Sequence, residues 1–212
     1  MMLSFHIFAS WAAAGVIAAN DPAAAATPPK STMPTVAAIS RRCDAAEKAT
    51  RGKPNRVFAD VSDKVMPAKG QGTWREFPDP DALKGVTEEG APNTQALVWR
   101  FPDGVLYVVM FFQSGSGDWA QYADHCFRPD GTLARVTDTF NTFEAGDDDS
   151  QGISRIRIKY FSPDGTMLQK KSRLLDLQTR KPVKRRYMDQ DDVAYARVSD
   201  VPFFELLKDV KP

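Results

Sequence analysis

The sequence repeats one turn signature, Pro-Asp-Gly, at residues 102–104, 129–131 and 163–165. A phenylalanine stands one or two positions before each of them. Proline presets φ for the first corner of a turn, aspartate accepts hydrogen bonds from nearby amides, and glycine adopts the left-handed conformation that follows. Such a turn joins two antiparallel strands. The three signatures therefore predict β-hairpins and argue against a helical body.

The segments beside these turns have the composition of strands. Ala96–Phe101 and Val105–Phe112 are rich in β-branched and aromatic residues. The second contains no charged residue, which predicts a central strand covered on both faces. Further strands are predicted at Trp119–Phe127, Thr132–Phe143, Ile153–Phe161, Met167–Leu177, Arg56–Val61 and Thr73–Phe77. A last hairpin is predicted between Val183–Met188 and Val193–Val198.

A helix is predicted at each end of this strand-rich region. The first covers Thr35–Thr50, where apolar residues recur on one stripe, and Gly52 and Pro54 end it. The second covers Val201–Val210, with Ser199 or Asp200 as its cap. We therefore predict a mainly β (α+β) fold. It is a single curved antiparallel β-meander or sandwich of about eight to ten strands with an N-terminal and a C-terminal helix.

The first 19 residues predict a signal peptide. Phe5–Ala19 contains no charged residue and, at about 15 residues, is shorter than the roughly 20 that span a bilayer. The preceding residues carry no Lys or Arg, so a buried or frayed N-terminal segment is the alternative. Residues 20–35 are mostly Ala, Pro and Thr and predict a flexible linker. This leaves 36–212 as one antiparallel β-rich domain of an exported, periplasmic or secreted protein.

The composition excludes several functional classes. Lys plus Arg is 28 and Asp plus Glu is 27, and a formal charge of +1 gives no global attraction to nucleic acid or membranes. Outside the leader no stretch is long and apolar enough to span a membrane. The sequence contains no phosphate-binding loop, zinc-protease motif or nucleophile elbow. We predict no cofactor, no metal and no nucleic-acid partner, and the oligomeric state is left open.

The chain has two cysteines, Cys43 and Cys126. In an oxidising compartment they can form a disulfide between the first helix and a strand. Such a bridge closes a loop of about 80 residues and contributes on the order of 4 kcal/mol in the chain-entropy account. Two separate buried thiols are the alternative. A Cys126–His125 catalytic pair is disfavoured because adjacent residues of a strand point to opposite faces.

The segment from Arg155 to Arg186 holds eleven basic and two acidic residues. Within it, isoleucines alternate with Arg155, Arg157 and Lys159, and a period of two predicts one buried face and one face in water. The basic side chains either pair with the acidic segment 118–152 or form an anion-binding sheet face. The candidate ligand-binding residues are Arg155, Arg157, Lys159, Lys170, Arg173, Lys184 and Arg186.

Two acidic features offer other chemistry. Residues 147–152 match the start of a calcium loop, but Ile158 occupies the position that requires a bidentate glutamate, so a solvated hairpin loop is favoured. Asp124, Asp138 and Glu144 are the carboxylates available for acid–base work. His125 is predicted to be a hydrogen-bonded surface or sheet histidine with no catalytic or metal-binding role.

These observations favour an exported, non-catalytic binding protein. Its sheet face or groove would take a small apolar or anionic ligand or a partner in the cell envelope. The first alternative is a carboxylate-dependent hydrolase of the periplasm. The second is a structural, envelope-associated interaction protein.

Overall fold

The computed structural model describes residues 34–62, 71–86, 90–143, 152–184 and 190–208. These residues form one open antiparallel sheet of eight strands in the order β2-β1-β3-β4-β5-β6-β7-β8. The predicted mainly β fold with an N-terminal helix is therefore confirmed, as an open sheet. The strands are β1 Arg56–Asp60, β2 Trp74–Phe77, β3 Thr94–Arg100, β4 Leu106–Gln113, β5 Trp119–Phe127, β6 Leu133–Thr142, β7 Ile153–Phe161 and β8 Met167–Asp176. A short 3-10 helix covers Pro80–Leu83.

The three Pro-Asp-Gly turns have the predicted geometry. The amides of Gly104, Gly131 and Gly165 each donate to a carbonyl three residues earlier, at 2.9–3.0 Å, and their φ angles are 80–88°. Each turn aspartate accepts the amide two residues later, for example Asp130 Oδ1 from Thr132 at 2.9 Å. Consecutive turns of an up-and-down sheet lie at alternating ends. The three Pro-Asp-Gly turns join β3 to β4, β5 to β6 and β7 to β8, so they are every second turn and lie at one end of the sheet. We call this end the turn end.

Helix α1, Val36–Ala49, covers one face of the sheet, which we call the helix face. Thr35 caps it by accepting the amide of Ala38 at 3.2 Å. Its buried stripe is Ile39, Cys43 and Ala46, which packs against strand residues that include Tyr107 and Tyr160. Cys43 is bonded to Cys126 of β5, with 5.8 Å between their Cα atoms. The predicted helix and the predicted disulfide are both present.

The opposite face is covered by residues 190–208, which we call the tail; the face it covers is the tail face. Val193, Val201, Phe203 and Leu207 are buried there in the larger hydrophobic core. Phe203 stacks on Phe58 with ring centroids 4.8 Å apart. The core therefore has two layers, one on each side of the sheet.

The tail differs from its predicted secondary structure. Its helical parts are a 3-10 turn at Val198–Asp200 and the short helix α2, Phe204–Leu207. The residues predicted as the strand Val193–Val198 make one isolated bridge, Thr132 to Arg197, instead of a hairpin. The predicted partner strand lies partly outside the described residues. A hairpin would require the Val193 amide to pair with the backbone of a neighbouring strand. That amide instead donates to the side chain of Asp138 at 3.1 Å.

We predict that Gly165→Ala destabilises the protein by about 1 kcal/mol, because an L-residue with a left-handed φ is strained. Gly165 has a φ of 88° and open space around its missing Cβ, so backbone strain is the sole cost. Gly115→Ala is the matched control, since that site is equally open and its φ lies outside the left-handed region. Urea unfolding of both variants measures the difference. Equal free energies of unfolding would contradict the turn assignment.

Candidate functional site

The predicted basic residues do not form one surface. The tail face carries Arg155, Arg157 and Lys159 of β7. It also carries Lys170 of β8, which stands opposite Lys159 in the register of the two strands. Arg173 lies on the helix face, opposite Ile156. Lys184 is exposed beyond β8, and Arg186 lies outside the described residues. The structure therefore brings four of the seven candidates together on one face.

The basic side chains of β7 contact carboxylates and are not open to water. Arg155 is 1% exposed and contacts Asp138 at 2.5 Å and Asp192 at 3.1 Å. Asp192 also binds Arg157 at 2.9 Å and Lys159 at 2.6 Å. The expectation that this side of β7 faces water is wrong, because the tail covers it. The alternative of pairing with the acidic segment 118–152 is met by Asp138, and Asp192 of the tail supplies a second carboxylate. We call this set of charges on the tail face the ion cluster.

The ion cluster also fixes the backbone of the tail. Asp138 Oδ2 accepts Gln121 Nε2 at 2.7 Å as well as the amide of Val193. The same Gln121 nitrogen donates to the Asp191 carbonyl at 2.9 Å, and Arg155 donates to the Gln190 carbonyl. Burial alone would raise the pKa of Asp192, but hydrogen bonds from Lys159 and Arg157 outweigh it and hold that pKa below its usual value.

A second basic site, which the sequence analysis missed, lies at the turn end. It is an open cavity of about 390 Å³ with three arginines in its wall, Arg100, Arg128 and Arg197. Arg100 ends β3, Arg128 precedes the second Pro-Asp-Gly turn, and Arg197 belongs to the tail. The remaining wall comes from the turns themselves, from Leu106, and from Val198, Ser199 and Phe204 of the tail. We call this cavity the turn-end groove.

The three arginines of the groove have different roles. Arg128 is held by the chain, since its guanidinium donates to the carbonyls of Leu133, at 2.6 Å, and Phe161. Arg100 and Arg197 form no salt bridge within the described part of the chain. Hydrogen bonds from Thr132, together with the charges of Arg128 and Arg197, hold the pKa of Asp130 below its usual range. One carboxylate thus shares the groove wall with three guanidiniums, two of which act on it.

An apolar cavity adjoins the turn-end groove. It has a volume of about 500 Å³ and shares Arg100, Gly104 and Leu106 with the groove as lining residues. Val98, Phe101 and Leu207 supply apolar surface to it. Together the two cavities place a positively charged region directly beside an apolar one.

A signal for this groove exists in the sequence. Arg100 and Arg128 stand immediately before the segments Phe-Pro-Asp-Gly and Pro-Asp-Gly. Antiparallel hairpins that follow one another place such residues at the same end of a sheet. Arg197 lies far from both in sequence and comes next to them only because the tail crosses the tail face, which strand patterns do not predict.

The carboxylates considered for hydrolysis are not brought together. Asp138 stands opposite Ala123 in register, whereas Asp124 stands opposite Thr137, so the two side chains lie on opposite faces of the sheet. Glu144 and the calcium-loop residues Asp147, Asp149 and Gln151 lie outside the described residues. Among the described residues no cluster of His, Cys, Asp and Glu could hold a metal ion.

Asp124 is half-buried on the helix face, near the end of the α1 contact. Burial, together with the charges of Glu47 and Asp138, raises its pKa to about 7, although Arg135 opposes the shift. Arg135 is 4% exposed and bridges the helix to the sheet by contacting Asp44 and, at 2.6 Å, Glu47. Burial raises the pKa of the neighbouring Tyr107 phenol well above its usual value. These groups form the charged border of the helix contact.

His125 lies on the tail face and is fully buried. Its Nδ1 lies 3.0 Å from the Ala123 carbonyl, which it reaches as a donor, and its ring stacks on Phe127 with 5.7 Å between centroids. Burial lowers its pKa to about 4, so the imidazole is neutral at ordinary pH. This placement agrees with the prediction of a structural sheet histidine.

No helix among the described residues is long and apolar enough to cross a membrane. Comparison of the chain with protein-family models, with curated proteins and with solved structures finds no match.

We predict that Asp138→Asn destabilises the protein by about 3–5 kcal/mol, because it leaves a buried guanidinium without its closest carboxylate. Asp81→Asn is the control, since it removes an ion pair with Lys84 that lies at the surface. Denaturant unfolding measures both. Similar small losses in the two variants would show that the ion cluster contributes little to stability.

We predict that Asp124→Asn stabilises the protein at pH 8 and not at pH 3. A folded pKa of about 7 exceeds the unfolded value, so the Asp124 contribution is complete below about pH 4 and is lost as pH rises through 7. Asparagine carries no charge at any pH and avoids this loss. Thermal unfolding from pH 3 to 8 measures the difference from the wild type, which should widen with pH. A difference independent of pH would contradict the assignment.

Proposed function

We propose that this is an exported, non-catalytic binding protein that takes an amphipathic anion in the turn-end groove. The observation that carries the proposal is the position of Arg100 and Arg197. Both guanidiniums border the cavity without a salt bridge to any described residue, beside a wall that contains Leu106 and Phe204. A site with free cations and apolar surface favours a ligand that has an anionic group and an apolar body.

The chemistry of the groove supports an anion with planar or tetrahedral oxygens. Guanidinium groups bind carboxylates, sulfonates and phosphates through paired hydrogen bonds that fix the orientation of the ligand. Arg128 is already held by two carbonyls, whereas Arg100 and Arg197 form no salt bridge with a described residue and can turn toward a ligand. The charge of Arg197 also acts on Asp130 in the same wall. The charge at the groove therefore stays positive when Asp130 is ionised.

The dimensions suit a small molecule. Cavities of about 390 and 500 Å³ fall within the usual range for ligand sites, roughly 300–1,000 Å³. The apolar body of the ligand would lie against Leu106 and Leu207 while its anionic group faces the arginines. This arrangement stabilises the bound state by burial of apolar surface and by charge-assisted hydrogen bonds.

Two features support binding and export over catalysis in the cytoplasm. Arginine does not release its proton in proteins, so a groove walled by arginines orients anions rather than transferring protons. The disulfide between Cys43 and Cys126 is of the kind that persists in oxidising compartments. The uncharged, apolar leader at Phe5–Ala19 lies outside the described residues, and its role as a signal peptide stays a prediction.

The proposal is tested with two naphthalene dyes that have similar apolar bodies. We predict that anilinonaphthalene sulfonate, an anion, binds the protein and that Arg100→Gln and Arg197→Gln each weaken this binding roughly tenfold. The uncharged dye N-phenylnaphthylamine should lose less than about threefold in the same variants, because its apolar contacts remain. Fluorescence titration measures both affinities.

Arg173→Gln is the matched control, since Arg173 is exposed on the helix face of β8, away from the groove. It should leave both titrations unchanged. Loss of both dyes in equal measure in the groove variants would show that the arginines support the fold rather than the anion. Unchanged sulfonate binding in all three variants would remove the proposal.

A further inference from the structure

We propose that β8 is a docking edge for an extended acidic segment of another protein, which adds to the sheet as a further strand. This inference is independent of the turn-end groove. It rests on the position of β8, on the direction of its backbone groups and on its charge.

The strand β8 is the last in the sheet and is long. It covers Met167–Asp176 and pairs with β7 on one side only. Its first seven residues are all exposed, including the apolar Met167 at 52% and Leu168 at 36%. A long, exposed edge is the usual site at which an extended peptide adds to a sheet.

The backbone direction along β8 follows from its few outer contacts. Val183 donates its amide to the Leu174 carbonyl at 3.0 Å, and the Asp176 amide donates to Lys181 at 2.9 Å, both on the side away from β7. Backbone groups alternate along a strand, so those of Lys170 and Ser172 also point away from β7, whereas a β-bulge at Leu168 interrupts the alternation there. Within the described part of the chain these two residues have no backbone partner on that side.

The described neighbours of this edge lie at its far end. Pro182 forms an isolated β-bridge with Leu175. The described chain resumes at Gln190, whose carbonyl accepts a hydrogen bond from Arg155. Arg155 stands opposite Leu174 in the register of β7 and β8. Both described neighbours therefore lie beside the Leu174 end. Among the described residues, none occupies the outer side of β8 from Gln169 to Ser172, which is therefore available for pairing.

The charge of this half specifies the occupant. Lys170 projects on the tail face, and Lys171 and Arg173 project on the helix face, so both sides of an added strand would meet cations. Lys170 stands opposite Lys159, whose described carboxylate partner is Asp192. Asp192 is already bound by three basic side chains of β7. Acidic side chains on a docked segment would supply the missing partners.

The same charges disfavour a second copy of this chain as the occupant. Pairing β8 with β8 would place lysines and arginine of the two copies side by side, and like charges opposite one another destabilise a sheet. Lysines on an edge strand generally prevent such self-association. They leave the edge selective for a partner of opposite charge.

The test adds an end-capped heptapeptide of threonine and glutamate, as the probe, to the full-length protein. Amide exchange followed by NMR should slow at Lys170 and Ser172 when the peptide is added, and not at Gln169 or Lys171. Ser172→Pro removes one outward amide without disturbing the bonds to β7 and should weaken binding roughly tenfold. The same peptide N-methylated at alternate residues should fail to bind the wild type, which keeps the test decisive if the proline variant does not fold.

Lys170→Gln with Lys171→Gln should weaken binding roughly threefold to tenfold, and Lys48→Gln with Lys53→Gln, exposed cations elsewhere, is the control of equal charge. Arg100→Gln and Arg197→Gln should bind the peptide normally, which separates this surface from the groove. Three results would overturn the proposal: unchanged binding by Ser172→Pro, amides of the outward residues already protected in the free protein, or self-association that Ser172→Pro abolishes.

Discussion

The contact between Arg155 and Asp138 is the interaction on which the arrangement of the tail face depends. A guanidinium that is 1% exposed tolerates burial only when carboxylates and carbonyls satisfy it. Asp138 supplies one carboxylate from the neighbouring strand, while Asp192 and the Gln190 carbonyl come from the tail. Folding of the sheet thus creates a charged position that the tail must complete. The tail is held at its first residues by electrostatics and along the rest of its length by burial of Val193, Val201 and Phe203.

The turn-end groove is a consequence of that attachment. Its wall contains a residue before the first turn, a residue before the second turn and Arg197 of the tail. Once the tail is fixed at Asp192, the bridge between Thr132 and Arg197 places it across the second turn. The helix on the other face is fixed separately, by the disulfide and by Arg135. The groove therefore depends on the ion cluster, whereas the helix contact depends on a covalent bond that salt does not weaken.

Local chemistry explains why much of the fold is predictable from the sequence. Pro, Asp and Gly at the three turns act within four residues, and strand composition beside them then defines the hairpins. Thr35 and the stripe at Ile39 and Cys43 likewise define α1. The burial of Arg155 is not predictable in this way. An alternation with a period of two shows that a strand has two distinct faces, but it does not show which face is covered by another part of the chain. That choice depends on Asp192, 37 positions away in the printed sequence and paired only in the folded chain. The site was missed for the same reason, because its third arginine belongs to the tail.

The two neighbouring residues Asp124 and His125 show how the faces of one strand share the effects of pH. Burial raises the pKa of Asp124 to about 7, so this carboxyl favours the folded state more strongly as pH falls. Burial lowers the pKa of His125 to about 4, so the unfolded chain gains a proton first and the folded state is weakened as pH falls from 6.5. The two dependences run in opposite directions over the same interval, from about pH 4 to 6.5, and offset each other. Since adjacent residues point to opposite faces, two neighbouring positions of β5 place these opposed effects of pH on the two sides of the sheet.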